Sequence, residues 1–226
     1  MAGCLYAASP AVCQDVDFIR LRRQMVERQL TSRDITDARV LEAMGAVPRH
    51  LFVDSSYRHL AYADHPLPIG DGQTISQPYI VALMTQLLKP GPDEKILEIG
   101  TGSGYQAAVL AHLGAEVFTV EIIRDLADKA EAVLSELGYL RVHVKWSDGS
   151  VGWEEESPFD AVIITCATAE VPPPIFRQVR EGGRIVLPLG NPSTYQTLCV
   201  ITKRDGKPHT ERILSVSFVP MTGKKR

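Results

Sequence analysis

The sequence predicts an α/β fold: a doubly wound, mainly parallel sheet with helices on both faces and a helical extension on the N-terminal side. Three observations predict it. From residue 94 onward, short apolar runs alternate with amphipathic stretches, the rhythm of successive βαβ units. Residues 161–164, inside a strand predicted over 159–165, are continuously apolar, as a strand covered on both faces requires. Lys95-Ile96-Leu97-Glu98-Ile99 runs directly into Gly100-Thr101-Gly102-Ser103-Gly104, and a helical stretch follows from Tyr105. Strand, glycine turn and helix in that order mark the crevice where open α/β sheets hold nucleotide-like ligands.

Ahead of the sheet, Phe18, Leu21, Met25, Val26 and Leu30 recur at helical spacing and predict an amphipathic helix over 17–30. Val40, Leu41 and Met44 share one face of a second helix over 37–45, which Pro48 ends. Residues 49–72 hold Pro66, Pro68, Gly70 and Gly72 without a period, and predict irregular chain with short extended pieces. A third helix is predicted to open at Ser76-Gln77-Pro78 and run to residue 88. Ser76 would be its N-cap and Pro78 would lie in its first turn. Lys89-Pro90-Gly91-Pro92 stops it. Strands are then predicted over 95–99, 116–120, 141–145, 159–165 and 183–189, with helices over 105–113, 124–137 and 174–180. Gly138 ends the second of these helices. Two further strands, 197–202 and 213–219, flank a turn at Asp205-Gly206-Lys207-Pro208. The organisation that follows is an N-terminal helical and irregular segment, 1–92, packed on the same domain as a ligand-binding core, 93–226.

A chain of 226 residues, 45% hydrophobic and 23% charged, suits one large domain with a full core. A formal charge of −3 supplies no basic footprint for nucleic acid, and Lys224-Lys225-Arg226 reads as solvated end residues. No apolar run approaches the roughly 18 residues that a bilayer crossing needs. The start lacks the basic and continuous apolar regions of a signal peptide. Cys4, Cys13, Cys166 and Cys199 form no C-x-x-C pair and the six histidines show no ligand spacing, so no metal is expected. Cys166 and Cys199 read as small buried hydrophobes. The expectation is a cytoplasmic monomer without nucleic-acid or membrane partners.

Glycines at alternate positions bare the backbone for a ligand. The spacing is G-x-G-x-G, and Tyr105 stands where a dinucleotide fold has its third glycine, which argues against NAD or FAD. No G-K-[ST] follows, so a phosphate-binding P-loop is excluded. Glu121 ends the second strand of the core, where a carboxylate can accept from both hydroxyls of a ribose; the plainer reading is a solvated strand-end acid. Asp148 and Gly149 follow the third strand. There Asp148 can reach an adenine amino group and Gly149 lets the ring lie close, or the pair is a simple turn.

The glycine motif resembles the first motif of the class I S-adenosylmethionine-dependent methyltransferases. The wider pattern is similar to one family of them, the protein-L-isoaspartate O-methyltransferases. The resemblance is carried by Val47-Pro48-Arg49 with Phe52-Val53, and by Pro66-Leu67-Pro68-Ile69-Gly70-Asp71-Gly72-Gln73-Thr74-Ile75-Ser76-Gln77-Pro78. Residues 97–105, Asp148-Gly149 with Gly152-Trp153, Pro158-Phe159-Asp160-Ala161 and Phe218-Val219-Pro220 add to it. It spans about residues 18–220, and Gly-Gln-Thr-Ile-Ser-Gln-Pro is its most specific part. The first dozen residues and the acidic Trp153-Glu154-Glu155-Glu156 depart from the pattern without touching the motifs. The resemblance implies a Rossmann-like methyltransferase fold with a variant order of the last strands. It implies S-adenosyl-L-methionine as donor, S-adenosyl-L-homocysteine as product, and isoaspartyl peptides and proteins as substrates. It assigns Glu98, Gly100, Thr101, Gly102, Ser103, Gly104, Glu121, Ile122, Asp148, Gly149 and Gln196 to the donor. Ile75, Ser76 and Val219 fall to the substrate, and Ser76 to catalysis.

The implied reaction moves a methyl group to the free α-carboxylate of an isoaspartyl residue, whose ester then closes spontaneously to a succinimide and so starts repair. A carboxylic acid with a pKa of about 4 is already ionised at neutral pH, so no general base is required. The protein must supply an in-line geometry, which is worth about 7–11 kcal/mol, and exclude water while opposite charges cancel. Ser76 before a helix N-terminus suits the acceptor anion. Three rivals compete: a methyltransferase for a small molecule or RNA, a binding protein that has lost chemistry, and an NAD-dependent oxidoreductase. The Gln-Thr-Ile-Ser-Gln-Pro run, the intact Ser76, Glu121 and Asp148, and Tyr105 count against them in turn.

Overall fold

The computed structural model describes residues 10–191 and 193–223, with side chains from residue 17 onward. Cys4, the side chain of Cys13, most of the predicted frayed start and the basic end Lys224-Lys225-Arg226 lie outside the described residues. The N-terminal layer opens with α1 (Pro10–Met25), prolonged by a π-helical turn over Val26–Thr31, and α2 (Ala38–Ala46). Asp37 caps α2, its carboxylate accepting from Arg39 N at 2.9 Å. Two 3-10 turns, Arg49–Leu51 and Ser55–Leu60, occupy the irregular stretch. Then β1 (Leu67–Gly70) and β2 (Gln73–Ile75) pair antiparallel, and α3 (Pro78–Leu88) ends at Lys89 in the left-handed region, φ 52°.

The core contains β3 (Lys95–Ile99), α4 (Tyr105–His112), β4 (Glu116–Glu121), α5 (Arg124–Glu136), β5 (Val142–Trp146), β6 (Phe159–Ile164), α6 (Pro173–Gln178), β7 (Val179–Leu189), β8 (Gln196–Arg204) and β9 (Lys207–Val216). The seven-stranded sheet is ordered β5-β4-β3-β6-β7-β8-β9. Strands β3 to β7 are mutually parallel, and β8 and β9 run antiparallel as a meander in chain order. The chain winds outward from β3 through β4 to β5, then returns to the other side of β3 with β6. That reversal opens a crevice beyond the carboxyl ends of β3 and β6.

Side-chain alternation divides the core between the two sheet faces. Ile96, Val117, Ile163 and Val186 join the N-terminal layer, packing with Met25, Leu30, Met44 and Leu83. Leu97, Ile99, Phe118, Val162 and Ile185 face the other way, toward Ile175 of α6. Residues from the segment 1–92 therefore share one hydrophobic cluster with the sheet. Arg49 of the Val-Pro-Arg motif is fully buried there, with its guanidinium 5.0 Å from the Tyr105 ring centre and its Nε donating to Ala61 O at 2.7 Å.

Three local readings change. The last strand begins at Lys207 rather than 213, because Asp205 and Gly206 both adopt positive φ (51° and 69°) and form a two-residue hairpin turn. Pro208 is tolerated because β9 is an edge strand. Strand β7 starts at Val179, paired with Phe159, and its register then breaks before Arg184 meets Ala161, so α6 stops earlier than predicted. Finally, Gln77 and not Ser76 is the N-cap residue of α3. Pro78 forces the residue before it into extended geometry (φ −50°, ψ 137°), which moves the cap position one residue on.

Candidate active site

Three adjoining cavities lie at the crevice, and Thr74 and Thr165 border all three. The first, about 60 Å³, runs past Gly100, Gly102, Glu121, Ile122 and Gly149. The second, about 40 Å³, is lined by Glu98, Thr101, Ser103 and Gln106 as well as by the first two glycines. The third is a groove of about 510 Å³ between Pro66, Ser76, Gln77 and Ile80 on one side and residues 215–219 on the other. Ser76 borders both the groove and the Glu98 cavity.

The glycine turn is tied to the strand beside it. Gly102 N donates to Glu121 Oε2 at 2.9 Å, while Glu121 Oε1 accepts from Ile122 N at 2.9 Å and Ile123 N at 3.0 Å. A carboxylate has about four acceptor sites, so Glu121 retains capacity for a hydroxyl. Gly100 has φ +94°, and a Cβ there would lie 2.6 Å from Thr165 Oγ1, so the close approach of the two strand ends demands glycine. That Thr165 hydroxyl lies 3.0 Å from the Ile99 carbonyl and 2.7 Å from the Gly100 carbonyl and shares its one proton between them, tying the turn to the next strand.

Glu98 is buried. Its Oε2 accepts from Thr119 Oγ1 at 2.6 Å, and its Oε1 has no partner. Burial pushes its carboxyl up to about 8, the Thr119 hydrogen bond opposes the shift, and the neighbouring Glu121 adds to it. Burial likewise pushes the Cys166 thiol up to about 12, with Glu121 again contributing. Cys166 borders the first cavity as a packing residue, not as a poised nucleophile.

The remaining expected positions fall in different places. Asp148 accepts from Ser150 N at 2.9 Å and caps the short turn Gly149–Val151; it faces a recess that shares Met221 with the first cavity. Gly149 sits against Ile99, where a Cβ would lie 2.6 Å from Ile99 Cγ2. Ile75 is buried in the main hydrophobic cluster and borders the Glu98 cavity. Val219 borders the groove and the first cavity, and its carbonyl accepts from Ala167 N at 2.8 Å. Gln196 borders none of the three cavities. Its amide nitrogen donates to Asn191 O and Thr194 O, and its oxygen accepts from Phe218 N at 2.9 Å, which anchors the segment lining the groove. Sequence reasoning missed Thr165 and Thr119. A lone hydroxyl closing an apolar strand run at the crevice would have signalled Thr165. Thr119 became visible only once strand register was known.

A family model described as protein-L-isoaspartate(D-aspartate) O-methyltransferase matches residues 20–226. The chain belongs to that family. Among protein-L-isoaspartate O-methyltransferases, the one from Shewanella sediminis is 55% identical over 206 residues, covering 91% of this chain and 84% of that protein. The one from Opitutus terrae is 55% identical over 204 residues, 90% and 88% of the two chains. A solved structure of a protein-L-isoaspartate O-methyltransferase superposes with a TM-score of 0.82 at 30% identity, covering 89% of this chain and 66% of that one. A Plasmodium falciparum structure, solved in complex with S-adenosyl-L-homocysteine, superposes with a TM-score of 0.77 at 24% identity, covering 89% and 98%. At that identity it speaks for the isoaspartate O-methyltransferase fold alone. Among the described residues no helix is long and apolar enough to cross a membrane, and no three His, Cys, Asp or Glu side chains group as metal ligands.

Proposed function

We propose that this chain transfers a methyl group from S-adenosyl-L-methionine to the free α-carboxylate of L-isoaspartyl residues in damaged proteins and peptides, which starts their repair through a succinimide. One observation carries the assignment of roles: the groove and the two glycine-lined cavities converge on Thr74 and Thr165, and Ser76 borders the groove and the Glu98 cavity. The residues present suit the donor. A bare turn, an acidic strand end at Glu121 and an unpaired buried acceptor on Glu98 are the partners that a nucleoside carrying an amino-acid chain needs. When bound, the donor supplies an electrophilic methyl on a sulfonium.

The chain's own residues do the positioning. Glu121, Ile122, Asp148 and Gly149 hold the adenosine end, with Gly100, Thr101, Gly102, Ser103, Gly104 and Glu98 at the amino-acid end. Gln196 acts from behind, by fixing Phe218 and hence Val219. Because no side chain caps α3, the Ser76 hydroxyl is not spent on the helix and is left to hold the acceptor carboxylate beside the helix N-terminus. Ile75 and Val219 shape the space around it. Residues 1–92 form the substrate side and 93–226 the donor side of one domain, acting as a monomer in the cytoplasm without nucleic-acid or membrane partners. The test is methyl transfer to an isoaspartyl peptide and to its aspartyl twin. Labelling of the isoaspartyl form alone is expected. Equal labelling, or transfer only to a small molecule or RNA, overturns the reading.

A further inference from the structure

Glu98 and Thr119 are register partners on β3 and β4, so their side chains stand side by side on the same sheet face. Thr119 is fully buried and borders none of the three cavities, yet it touches both the strand residue that precedes the glycine motif and the first residue between its glycines. Its Oγ1 lies 2.6 Å from Glu98 Oε2 and 2.7 Å from Thr101 Oγ1. With Glu98 ionised, as it must be to hold a cation, the direction of these bonds is fixed. A hydroxyl has one proton. Thr119 gives its proton to Glu98, so Thr101 gives its own to Thr119. The relay therefore couples the glycine turn to the carboxylate and leaves Oε1 as the one buried carboxylate oxygen of Glu98 without a donor. A buried acceptor in that condition costs free energy until a donor arrives.

The geometry points to Thr119 as a positioning residue for donor recognition: with Thr101 it locks Glu98 so that Oε1 receives the α-ammonium group of the methionine half of the donor. This rests on the reading of the Glu98 cavity as the amino-acid end of the donor site. Thr119 itself never meets the ligand, so its effect is confined to ligands that carry the ammonium.

Calorimetric binding of two nucleosides isolates that effect. S-adenosyl-L-homocysteine has the amino-acid chain with its ammonium and carboxylate; 5′-methylthioadenosine has the same purine, sugar and thioether sulfur with a methyl in place of that chain. Thr119→Val is expected to weaken S-adenosyl-L-homocysteine about tenfold or more and to leave 5′-methylthioadenosine within about twofold, and Thr119→Ser to restore the difference. If Thr119→Val does not fold, Thr119→Ala removes the same hydroxyl without a branched side chain and must show the same split. Equal losses for both nucleosides, or no loss for either, overturn the proposal. Glu98→Gln separates it from the reading beneath it. If that change leaves the preference between the two nucleosides intact, the cavity assignment fails. If it removes the preference while Thr119→Val retains it, only the relay fails.

Discussion

Replacing Glu98 with Gln should make the donor-free protein more stable, by an amount that grows with pH. Glu98 is fully buried with one oxygen unpartnered, and its carboxyl is raised from 4.5 to about 8. The folded chain therefore keeps a proton between pH 4.5 and about 8 that the unfolded chain has already lost. A raised folded pKa means stability that is fully present below the unfolded value and is lost as pH climbs through the folded one. Each pH unit in that window costs the wild type about 1.4 kcal/mol. Glutamine has no proton to lose. The advantage of Glu98→Gln should thus start near zero at pH 4.5 and reach about 3 kcal/mol at pH 7. It should level off near 5 kcal/mol above pH 8. Urea unfolding of both proteins, stripped of donor and product, at unit steps from pH 5 to 9 measures this. Taking the difference cancels the other titrating groups. A stability difference that stays flat across the series refutes the argument, whatever its sign.

Other outcomes follow from the same geometry. Ser76→Ala should lower turnover on the order of 100-fold while affinity for S-adenosyl-L-homocysteine stays within about twofold, and normal turnover would remove Ser76 from the reaction. Gly149→Ala pushes a methyl against Ile99 Cγ2, 2.6 Å away, and should cost about 1–3 kcal/mol, read as a lowered Tm; an unchanged Tm contradicts the packing described. Cys166, with its thiol at about 12, should resist iodoacetamide at pH 8 until the protein is unfolded, and rapid alkylation located at Cys166 in the native chain by peptide mapping would be the contrary result.

The sequence was most legible where local chemistry and tertiary demand coincide. The strand over Lys95–Ile99 and its glycine turn were placed to the residue, since apolar burial and backbone exposure both favour that reading. The run Gln73 to Pro78 stood out in the sequence, and its Thr74, Ser76 and Gln77 border the groove, although Pro78 hid which residue would cap the helix. Errors cluster where the sheet overrides local pattern. Val179 leaves a helical stretch to pair with Phe159, and the tight Asp205-Gly206 turn extends a strand into polar residues that carry no strand signal of their own. Of the residues lining the first cavity, Gly100, Gly102, Glu121 and Gly149 were expected there from glycine spacing and strand ends. The contributions of Thr165, Thr119 and the Gln196 amide depend on which strands become neighbours, and no window of sequence contains that information.

The last described residues cross the mouth of the crevice. Met221 N donates to Ala167 O at 2.8 Å, and Phe218 is tethered by Gln196. A ribosome delivers the glycine turn long before it delivers this closing segment, so a half-made chain has the floor of the pocket without its far wall. Occupancy of the finished pocket joins segments made early and late in translation. On the proposed assignment of the donor site, a bound nucleoside is a clasp between the glycine turn and this later segment, and its binding free energy stabilises both.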